Sequence, residues 1–248
     1  MIVGKGLLAQ AFAPYFGDNP EIVVFASGVS NSLETREEEF AREHALLCQL
    51  LAKHAKRFVY FGSCGVATAE ADLTAYMKHK KQMESLVLAT RGGLVLRLPQ
   101  VVGRTDNHHT LTNFLRDRIL SGEHFTVWAH AERNLIDIDD IAAIGATLAA
   151  DTDAGSAVVP IAADSSVPMR EIVKTFERVL DKRANYSLLD KGAAMHIDTS
   201  RIREVTSRLG IDLGDGYAER VLRKYYAPVK AISADSNSSL FSTDTSVI

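Results

Sequence analysis

The start of the chain constrains the fold most, because two apolar residues run there directly into a glycine turn. Ile2-Val3 is typical of a very short strand, and the residues after it, Gly4-Lys5-Gly6-Leu7-Leu8-Ala9, form a G-x-G-x-x-A pattern that opens an apolar helix. Small residues at such a turn let the backbone approach a pyrophosphate at the helix N-terminus. A tight turn that needs glycine for its own geometry is the alternative interpretation. The position of the pattern favours a cofactor site.

Short apolar strands and longer amphipathic helices alternate along the rest of the chain. The patterns predict strands at 21–26, 57–62, 93–98, 125–128 and 157–161, and helices at 35–54, 74–89, 111–120, 141–150, 169–180 and 216–226. Alternation of this kind is typical of an α/β protein with a parallel sheet. The end of the chain is rich in Ser, Thr and Asp, so the segment 229–248 is predicted to be a flexible tail.

Composition excludes several classes of function. The chain has 248 residues, 46% of them hydrophobic, and can bury a full core. Its formal net charge of -3 gives no basic excess for nucleic acid. No apolar run approaches the roughly 20 residues that span a bilayer, and no signal segment opens the chain, so we expect a cytoplasmic protein without a membrane partner. Cys48, Cys64 and the scattered histidines lack the spacing of a metal or disulfide site, so no metal is expected.

A candidate for proton transfer lies in the first half of the predicted helix 74–89. Tyr76 and Lys80 are four residues apart and so share one face of a helix. A nearby ammonium stabilises phenolate and is expected to lower the pKa of Tyr76 from its usual value of about 10. A half-buried tyrosine beside a solvated lysine is the alternative. Ser63 follows the strand 57–62 and stands at its carboxyl end, where open α/β sheets place their chemistry.

Taken together in chain order, these motifs resemble those of a known family. Beyond Gly4-x-Gly6, Ser63, Tyr76 and Lys80, the chain carries Arg97-Leu98-Pro99 and the segment from Arg133 to Asp140. The sequence resembles the extended short-chain dehydrogenase/reductases, and more narrowly the NAD-dependent epimerase/dehydratase family that acts on nucleotide-activated sugars. The resemblance extends to about residue 228. It implies one Rossmann-type domain, 1–228, with a doubly wound parallel sheet and a small C-terminal substrate lobe drawn mainly from 104–135 and 160–228.

The resemblance also implies roles for single residues. Ser63 matches the hydroxyl that binds the reacting oxygen, Tyr76 the acid/base, and Lys80 the residue that holds the nicotinamide ribose. The cofactor, NAD or NADP, is expected to contact Gly4, Lys5, Gly6, Leu7, Leu8, Ala26, Ser27, Gly28, Tyr76, Lys80, Pro99 and Val101. The substrate-side positions are Ser63, Cys64, Asn107 and Arg133. Cys64 is also interpreted as a packed small residue, Arg133 as a surface ion-pair partner of Asp137 or Asp139, and Glu84 as a structural acid.

The chain departs from the family between Gly6 and Ser63. Only one strand, near Val24, is predicted there, where the family has three, so two βα units are expected to be missing. We interpret 24–28 as the strand that lies against the cofactor just before the Ser63 unit. No Asp or Glu ends this strand to hold the adenosine ribose, which leaves the choice between NAD and NADP open.

The neighbours of Ser63 narrow the expected reaction. Cys64-Gly65 stands where a 4,6-dehydratase has an Asp-Glu pair, and Gly65 and Thr105 stand where 3,5-epimerase/reductases have Cys and His. Of the reactions of this family, reduction or C4 epimerisation of a nucleotide-linked sugar remains as the expected one. The expected biological role is one such as polysaccharide biosynthesis. The expected assembly is a homodimer. The alternatives are a non-catalytic dinucleotide sensor or scaffold, and a reductase of a small non-sugar carbonyl.

Overall fold

The computed structural model describes residues 1–228, so the predicted tail lies outside the described residues. The strands are β1 (Ile2–Val3), β2 (Ile22–Phe25), β3 (Arg57–Ser63), β4 (Gly93–Leu98), β5 (Gln100–Val102), β6 (Phe125–Trp128), β7 (Glu132–Arg133), β8 (Leu135–Asp137), β9 (Ala157–Pro160), β10 (Val167–Pro168) and β11 (Tyr186–Leu189). The helices are α1 (Leu7–Phe16), α2 (Glu37–Leu51), α3 (Ala75–Leu88), α4 (Leu111–Ser121), α5 (Ile138–Ala150), α6 (Met169–Leu180), α7 (Arg203–Leu209) and α8 (Tyr217–Tyr226). Within residues 1–228, none of the helices combines the length and the apolar composition needed to cross a bilayer.

A five-stranded parallel sheet forms the centre of the protein. Its strand order is β1-β2-β3-β4-β9, and every neighbouring pair is parallel. The register aligns one row of residues across the sheet: Ile2, Val24, Val59, Leu94 and Ala157. Apolar side chains in such a row pack as a continuous surface for the helices that cover it. The predicted Rossmann-like α/β fold is therefore confirmed.

Helices cover both faces of this sheet. On one face, Phe12 of α1 packs against Phe61 of β3 with ring centroids 5.1 Å apart, and α1 also packs against α5. On the other face, Leu47 of α2 and Met83 of α3 pack against Phe25 of β2. The alternation of side chains along each strand divides the core in this way, because successive residues point to opposite faces.

The strand order has one unusual consequence for the connections. A full Rossmann sheet has the order 3-2-1-4-5-6, with a switch point beside the first strand. Here the order runs in one direction only, and β1, paired with β2 alone, is an edge strand among the described residues. The connections β1-α1-β2 and β2-α2-β3 both lead to the next strand in the same direction across the sheet. Because α1 and α2 cover opposite faces of the sheet, these two crossover connections have opposite handedness. Because about 98% of such crossovers are right-handed, and α3 lies on the same face as α2, the crossover through α1 is the left-handed one.

The remaining elements pack at one end of the sheet as three small ribbons and four helices. β5 pairs with β8, β6 with β11, and β7 with β10. Asp137, at the end of β8, connects this region to the last helix: it accepts hydrogen bonds from Lys224 Nζ (2.6 Å) and Tyr225 Oη (2.6 Å) of α8. Asp137 also caps α5 by accepting from the backbone N–H of Asp139. The sequence patterns missed α7 and the short strands β5, β7, β8, β10 and β11. The division into sheet and substrate lobe stays a prediction.

Phe12 should contribute strongly to stability, because its side chain is fully buried between α1, β3 and α5. Replacing a buried Phe with Ala typically costs about 3–5 kcal/mol. We expect Phe12→Ala to lower the free energy of unfolding by about this amount in urea titrations. Tyr15→Ala on the same helix, where the ring is half exposed, should cost less than about 1 kcal/mol. Equal losses in the two variants would contradict the packing described for α1.

Candidate active site

A cleft opens where the parallel strands end. It has a volume of about 570 Å³, within the range usual for small-molecule sites. Gly4 follows β1, Ala26 follows β2, Ser63 ends β3 and Pro99 follows β4, and all of them line this cleft. Every position assigned to the cofactor from the sequence lies along its wall: Gly4, Lys5, Gly6, Leu7, Leu8, Ala26, Ser27, Gly28, Tyr76, Lys80, Pro99 and Val101. The cleft lies at the carboxyl edge, where open α/β sheets bind ligands.

The glycine turn leaves the start of α1 open to the cleft. Gly4 has φ +125°, which favours glycine, and a Cβ at Gly4 would overlap the carbonyl oxygen of Ala26. Gly6 is the N-cap of α1, and no side chain caps the helix. A Cβ added at Gly6 would have no atom within 4 Å, so the space beside this residue is open. Uncapped N–H groups and the helix dipole attract anions.

The charges along the cleft agree with an anionic ligand. Lys5, Arg42 and Lys80 line it, and no Asp or Glu is among its lining residues in the described chain. Arg42 also donates to the carbonyl oxygen of Ser27 and pairs at 3.1 Å with Glu39, which lies outside the lining. The open glycine turn and this excess of cations fit the diphosphate of a dinucleotide.

Ser63 and Tyr76 meet at the wall of the cleft. Ser63 is the last residue of β3, and its Oγ accepts a hydrogen bond from the backbone N–H of Gly65 at 3.2 Å. Thr74 is the N-cap of α3 and accepts from the N–H of Met77, which places Tyr76 in the first turn. The Ser63 hydroxyl lies near enough to Tyr76 to lower the pKa of its phenol, and both residues line the cleft. The two hydroxyls can therefore reach one ligand oxygen.

Two neighbouring side chains hold the ammonium of Lys80. Its ammonium donates to Glu43 Oε1 at 3.1 Å and to Tyr60 Oη at 3.0 Å. Tyr60 Oη in turn donates to the same Glu43 oxygen at 2.6 Å. The ammonium lies 5.8 Å from the centroid of the Tyr76 ring. Lys80 is thus buried and paired, whereas one alternative from the sequence was a solvated lysine.

The electrostatics of Tyr76 differ from the expectation of a lowered pKa. Burial and, to a lesser degree, the carboxylate of Glu43 raise the pKa of Tyr76 well above its ordinary value, although the hydrogen bond from Ser63 lowers it. Burial also lowers the pKa of Lys80, against the opposing effect of Glu43. The positive charge of Lys80 is balanced by Glu43, so desolvation decides the direction. Tyr76 is a neutral phenol at neutral pH.

Glu84 of α3 is buried. It accepts hydrogen bonds from Arg97 Nη2 (2.7 Å) and Nε (3.0 Å) of β4. A Cβ on Gly62 would overlap the other oxygen of Glu84, so helix and strand approach closely at this glycine. The contact joins α3 to β3 and β4, which agrees with the structural role expected for Glu84.

The predicted substrate-side residues do not all reach the cleft. Asn107 lines it, and its Oδ1 accepts from the N–H of His109, another lining residue. Cys64 is buried outside the lining and donates to the carbonyl oxygen of Arg97, and burial raises the pKa of its thiol to about 12. Its interpretation as a packed small residue fits this position.

Arg133 also lies outside the lining of the cleft. Its guanidinium donates to the carbonyl oxygen of Glu132 at 2.7 Å, and burial lowers its pKa. The alternative ion pair with Asp137 or Asp139 is not formed, because both carboxylates pair with Lys224. Contact of Arg133 with a substrate stays a prediction.

The sequence patterns did not identify several residues that hold Lys80 or line the cleft. Glu43 and Tyr60 hold Lys80, and Arg42 and His109 line the cleft. The pairing of His108 with His109 was the only available signal for His109. Glu43 stands in a helix whose first turn is already acidic, so nothing in the pattern separates it from solvated neighbours such as Glu38. Among residues 1–228, no group of His, Cys, Asp and Glu is arranged to hold a metal ion.

Comparison with protein families decides the membership of the chain. The family described as the NAD dependent epimerase/dehydratase family matches residues 7–162, more than half of the sequence. The chain belongs to this family. No curated protein matches it in sequence. Membership confirms the resemblance inferred from the glycine turn and the Ser63, Tyr76 and Lys80 pattern.

Solved structures of the epimerase/dehydratase type share the fold. MoeE5 in complex with UDP-glucose and NAD is 21% identical, with a TM-score of 0.65 over 89% of this chain and 81% of that one. RMD from Pseudomonas aeruginosa, complexed with NADPH, is 17% identical, with a TM-score of 0.62 over 90% and 87%. UDP-N-acetylglucosamine 4-epimerase from Bacillus cereus is 15% identical, with a TM-score of 0.64 over 90% and 95%.

The two glycines of the turn should respond differently to an added methyl group. Gly4→Ala forces a positive φ and an overlap with Ala26, so we expect it to lower the free energy of unfolding by about 1–3 kcal/mol. Gly6→Ala meets no protein atom, so its effect on folding should stay near 1 kcal/mol or below. Its methyl group projects toward open space at the start of α1, however, and should weaken dinucleotide binding measured by calorimetry. Unchanged affinity in Gly6→Ala would argue against a diphosphate at this turn.

Proposed function

We propose that this protein is an NAD(P)-dependent oxidoreductase that reduces or epimerises a nucleotide-activated sugar at Ser63, Tyr76 and Lys80. The observation that carries the proposal is that Ser63, Tyr76 and Lys80 line one cleft at the carboxyl edge of the sheet, beside the glycine turn. Membership of the epimerase/dehydratase family supports the class of reaction. Several structural neighbours are complexed with nucleotide sugars or nucleotides, which supports the class of substrate.

Each of the three side chains has a separate role in the proposed reaction. Ser63 Oγ binds the reacting oxygen of the sugar, and Tyr76 Oη exchanges a proton with the same oxygen. Since burial keeps Tyr76 protonated, the free site is prepared to donate a proton to a carbonyl, which is the direction of reduction. Lys80 presents its ammonium to the cleft and binds a ligand hydroxyl there. The bound nicotinamide cofactor supplies or accepts the hydride.

The other lining groups position the ligands. The start of α1, with Gly4 and Gly6, holds the diphosphate of the cofactor, and Asn107 lies on the side left for the sugar. Arg133 is the candidate for the substrate diphosphate, since a guanidinium without an ion-pair partner binds two phosphate oxygens at once. This assignment needs a movement of Arg133 toward the cleft when substrate binds. The cytoplasmic location, the homodimer and a role in polysaccharide biosynthesis stay predictions.

Replacing Tyr76 with Phe tests the acid/base role. The change removes one hydroxyl and should lower kcat for reduction of a 4-keto-sugar nucleotide by about 10²–10⁴-fold, the usual contribution of a positioned acid. Cofactor affinity should change little. Turnover is followed by the absorbance of NAD(P)H.

Tyr15→Phe is the matched control, because Tyr15 is a half-exposed tyrosine on α1 outside the cleft. It should turn over at the wild-type rate. Equal rates in wild type and Tyr76→Phe would remove the acid/base role. Cofactor binding without turnover of any sugar nucleotide would favour the dinucleotide sensor, and turnover of small carbonyls without affinity for nucleoside diphosphates would favour the third alternative.

The charges of the cleft favour NADPH over NADH. NAD sites commonly hold the ribose 2′-hydroxyl with a carboxylate, whereas an arginine accommodates the 2′-phosphate of NADP. The described lining has Lys5 and Arg42 and no carboxylate. We expect NADPH to bind about 10-fold or more tightly than NADH, a difference that one charged hydrogen bond can supply. Arg42→Gln should reduce this ratio in calorimetric titrations.

Arg91→Gln is the control for Arg42, because Arg91 precedes β4 and lies at the opposite edge of the sheet from the cleft. Its ratio of affinities should equal that of the wild type. An NADH affinity equal to that for NADPH in the wild type would refute the preference while leaving the proposed reaction intact.

A further inference from the structure

Glu43 is a buried carboxylate whose hydrogen-bonding capacity is fully used. One oxygen, Oε1, accepts from Tyr60 Oη at 2.6 Å and from Lys80 Nζ at 3.1 Å. The other, Oε2, accepts from the N–H of Val29 at 2.6 Å and contacts His79 Nε2 at 3.0 Å. An ionised carboxylate offers about four acceptor positions, so none is left for a ligand. Its side chain is fully buried and Glu43 does not line the cleft, so it cannot touch substrate.

Three elements fix this carboxylate in one position. Helix α2 carries Glu43, strand β3 supplies Tyr60, and helix α3 supplies His79. The His79 ring is stacked on Phe40 of α2 with centroids 4.6 Å apart, which restricts its rotation. Although burial opposes ionisation, the hydrogen bond from His79 and the charge of Lys80 lower the pKa of Glu43 to about 2. Glu43 is therefore a fixed negative charge at any pH near neutrality.

The ammonium of Lys80 has one N–H left after these contacts. Two of its three hydrogens go to Glu43 and Tyr60, and no third acceptor is present among the described residues. Gly28 lies directly above, since an added Cβ there would be 2.7 Å from Glu43 Oε1 and 2.8 Å from Lys80 Nζ. The bare backbone of Gly28 thus lets Lys80 reach the cleft, and the remaining N–H is the one available to a ligand.

We propose that Glu43 is a positioning residue for the reaction: with Tyr60 it fixes Lys80 so that a single N–H is presented to the ribose hydroxyls of the cofactor. This inference rests on the proposed function. Glu43 acts on the ligand only through Lys80. A lysine side chain has four flexible torsions. Because anchoring already fixes them in the free protein, ligand binding no longer costs this conformational entropy.

A double-mutant cycle tests this dependence. Glu43→Gln keeps the shape of the side chain but loses its charge, and should lower kcat by about 10–100-fold, the cost of misplacing a group in an active site. Lys80→Met should lower it further. If Glu43 acts through Lys80, adding Glu43→Gln to Lys80→Met should cost less than about 2-fold more. The same cycle is measured on the dissociation constant of NADPH.

If the fold losses in kcat and in affinity of the two single variants multiply in the double variant, the proposal is overturned. A purely structural role of Glu43 would give this result, because it does not depend on the presence of Lys80. Glu38→Gln is the matched control, since Glu38 is exposed on the same helix, and it should behave as the wild type. If Glu43→Gln fails to fold, Tyr60→Phe removes the second anchor of Lys80 with little change of shape. It should lower kcat, and this loss should also disappear in the Lys80→Met background.

A ligand-free measurement separates this inference from the proposed function. Reductive methylation of the native protein, read by peptide mass spectrometry, should modify Lys80 far more slowly than the exposed Lys78. In Glu43→Gln the rate at Lys80 should rise several-fold while the rate at Lys78 stays unchanged. An unchanged Lys80 rate would refute the anchoring. A wild-type protein that neither binds NADPH nor turns over keto-sugar nucleotides, yet protects Lys80 in this way, would refute the proposed function alone.

Discussion

The parallel register of the central sheet determines where the chemistry of this protein can occur. Because β1, β2, β3 and β4 are parallel and hydrogen-bonded in one row, their carboxyl ends meet at a single edge. The residues that follow, from Gly4 to Pro99, are distant in sequence and adjacent in space. A shift of one residue in any strand would turn its side chains to the opposite face, so the apolar rows that build the two cores also fix the position of the site.

The shortened N-terminal half changes the cleft without removing it. A full Rossmann sheet places its ligand at the switch point between two halves, but here the strand order has no reversal and β1 is the edge. Helix α1 remains on its face, so its connection to β2 takes the left-handed course. The wall that missing strands would supply is replaced in part by the loop from Ser27 to Ser32 and by Arg42 of α2. Helix α2 thus contributes the cation Arg42 to the lining of the cleft.

Sequence patterns predicted the long elements, and the positions that they assign to the cofactor lie together along one cleft. The βα turn at Gly4, the strand before Ser63 and the helix with Tyr76 carry strong local signals, because glycine geometry and apolar periodicity act within a few residues. The strand β7 consists of two charged residues and β11 is mostly exposed, so neither forms a buried apolar run, and both are set by their tertiary partners. Glu43 could not be identified for a similar reason: its role depends on Tyr60 and Lys80, which approach it only in the folded protein.

The balance between burial and charge explains the state of Tyr76. A spacing of four residues suggests that Lys80 acts on the phenol as a free cation, but a buried ammonium is stable only with a counter-charge. Glu43 supplies that charge for Lys80, while burial, with a smaller contribution from Glu43, raises the pKa of Tyr76 and keeps its phenol protonated. The carboxylate that keeps Lys80 charged inside the protein therefore also helps to keep Tyr76 a proton donor in the free site. Glu43 thus contributes both to the positioning of the lysine and to the protonation of the tyrosine.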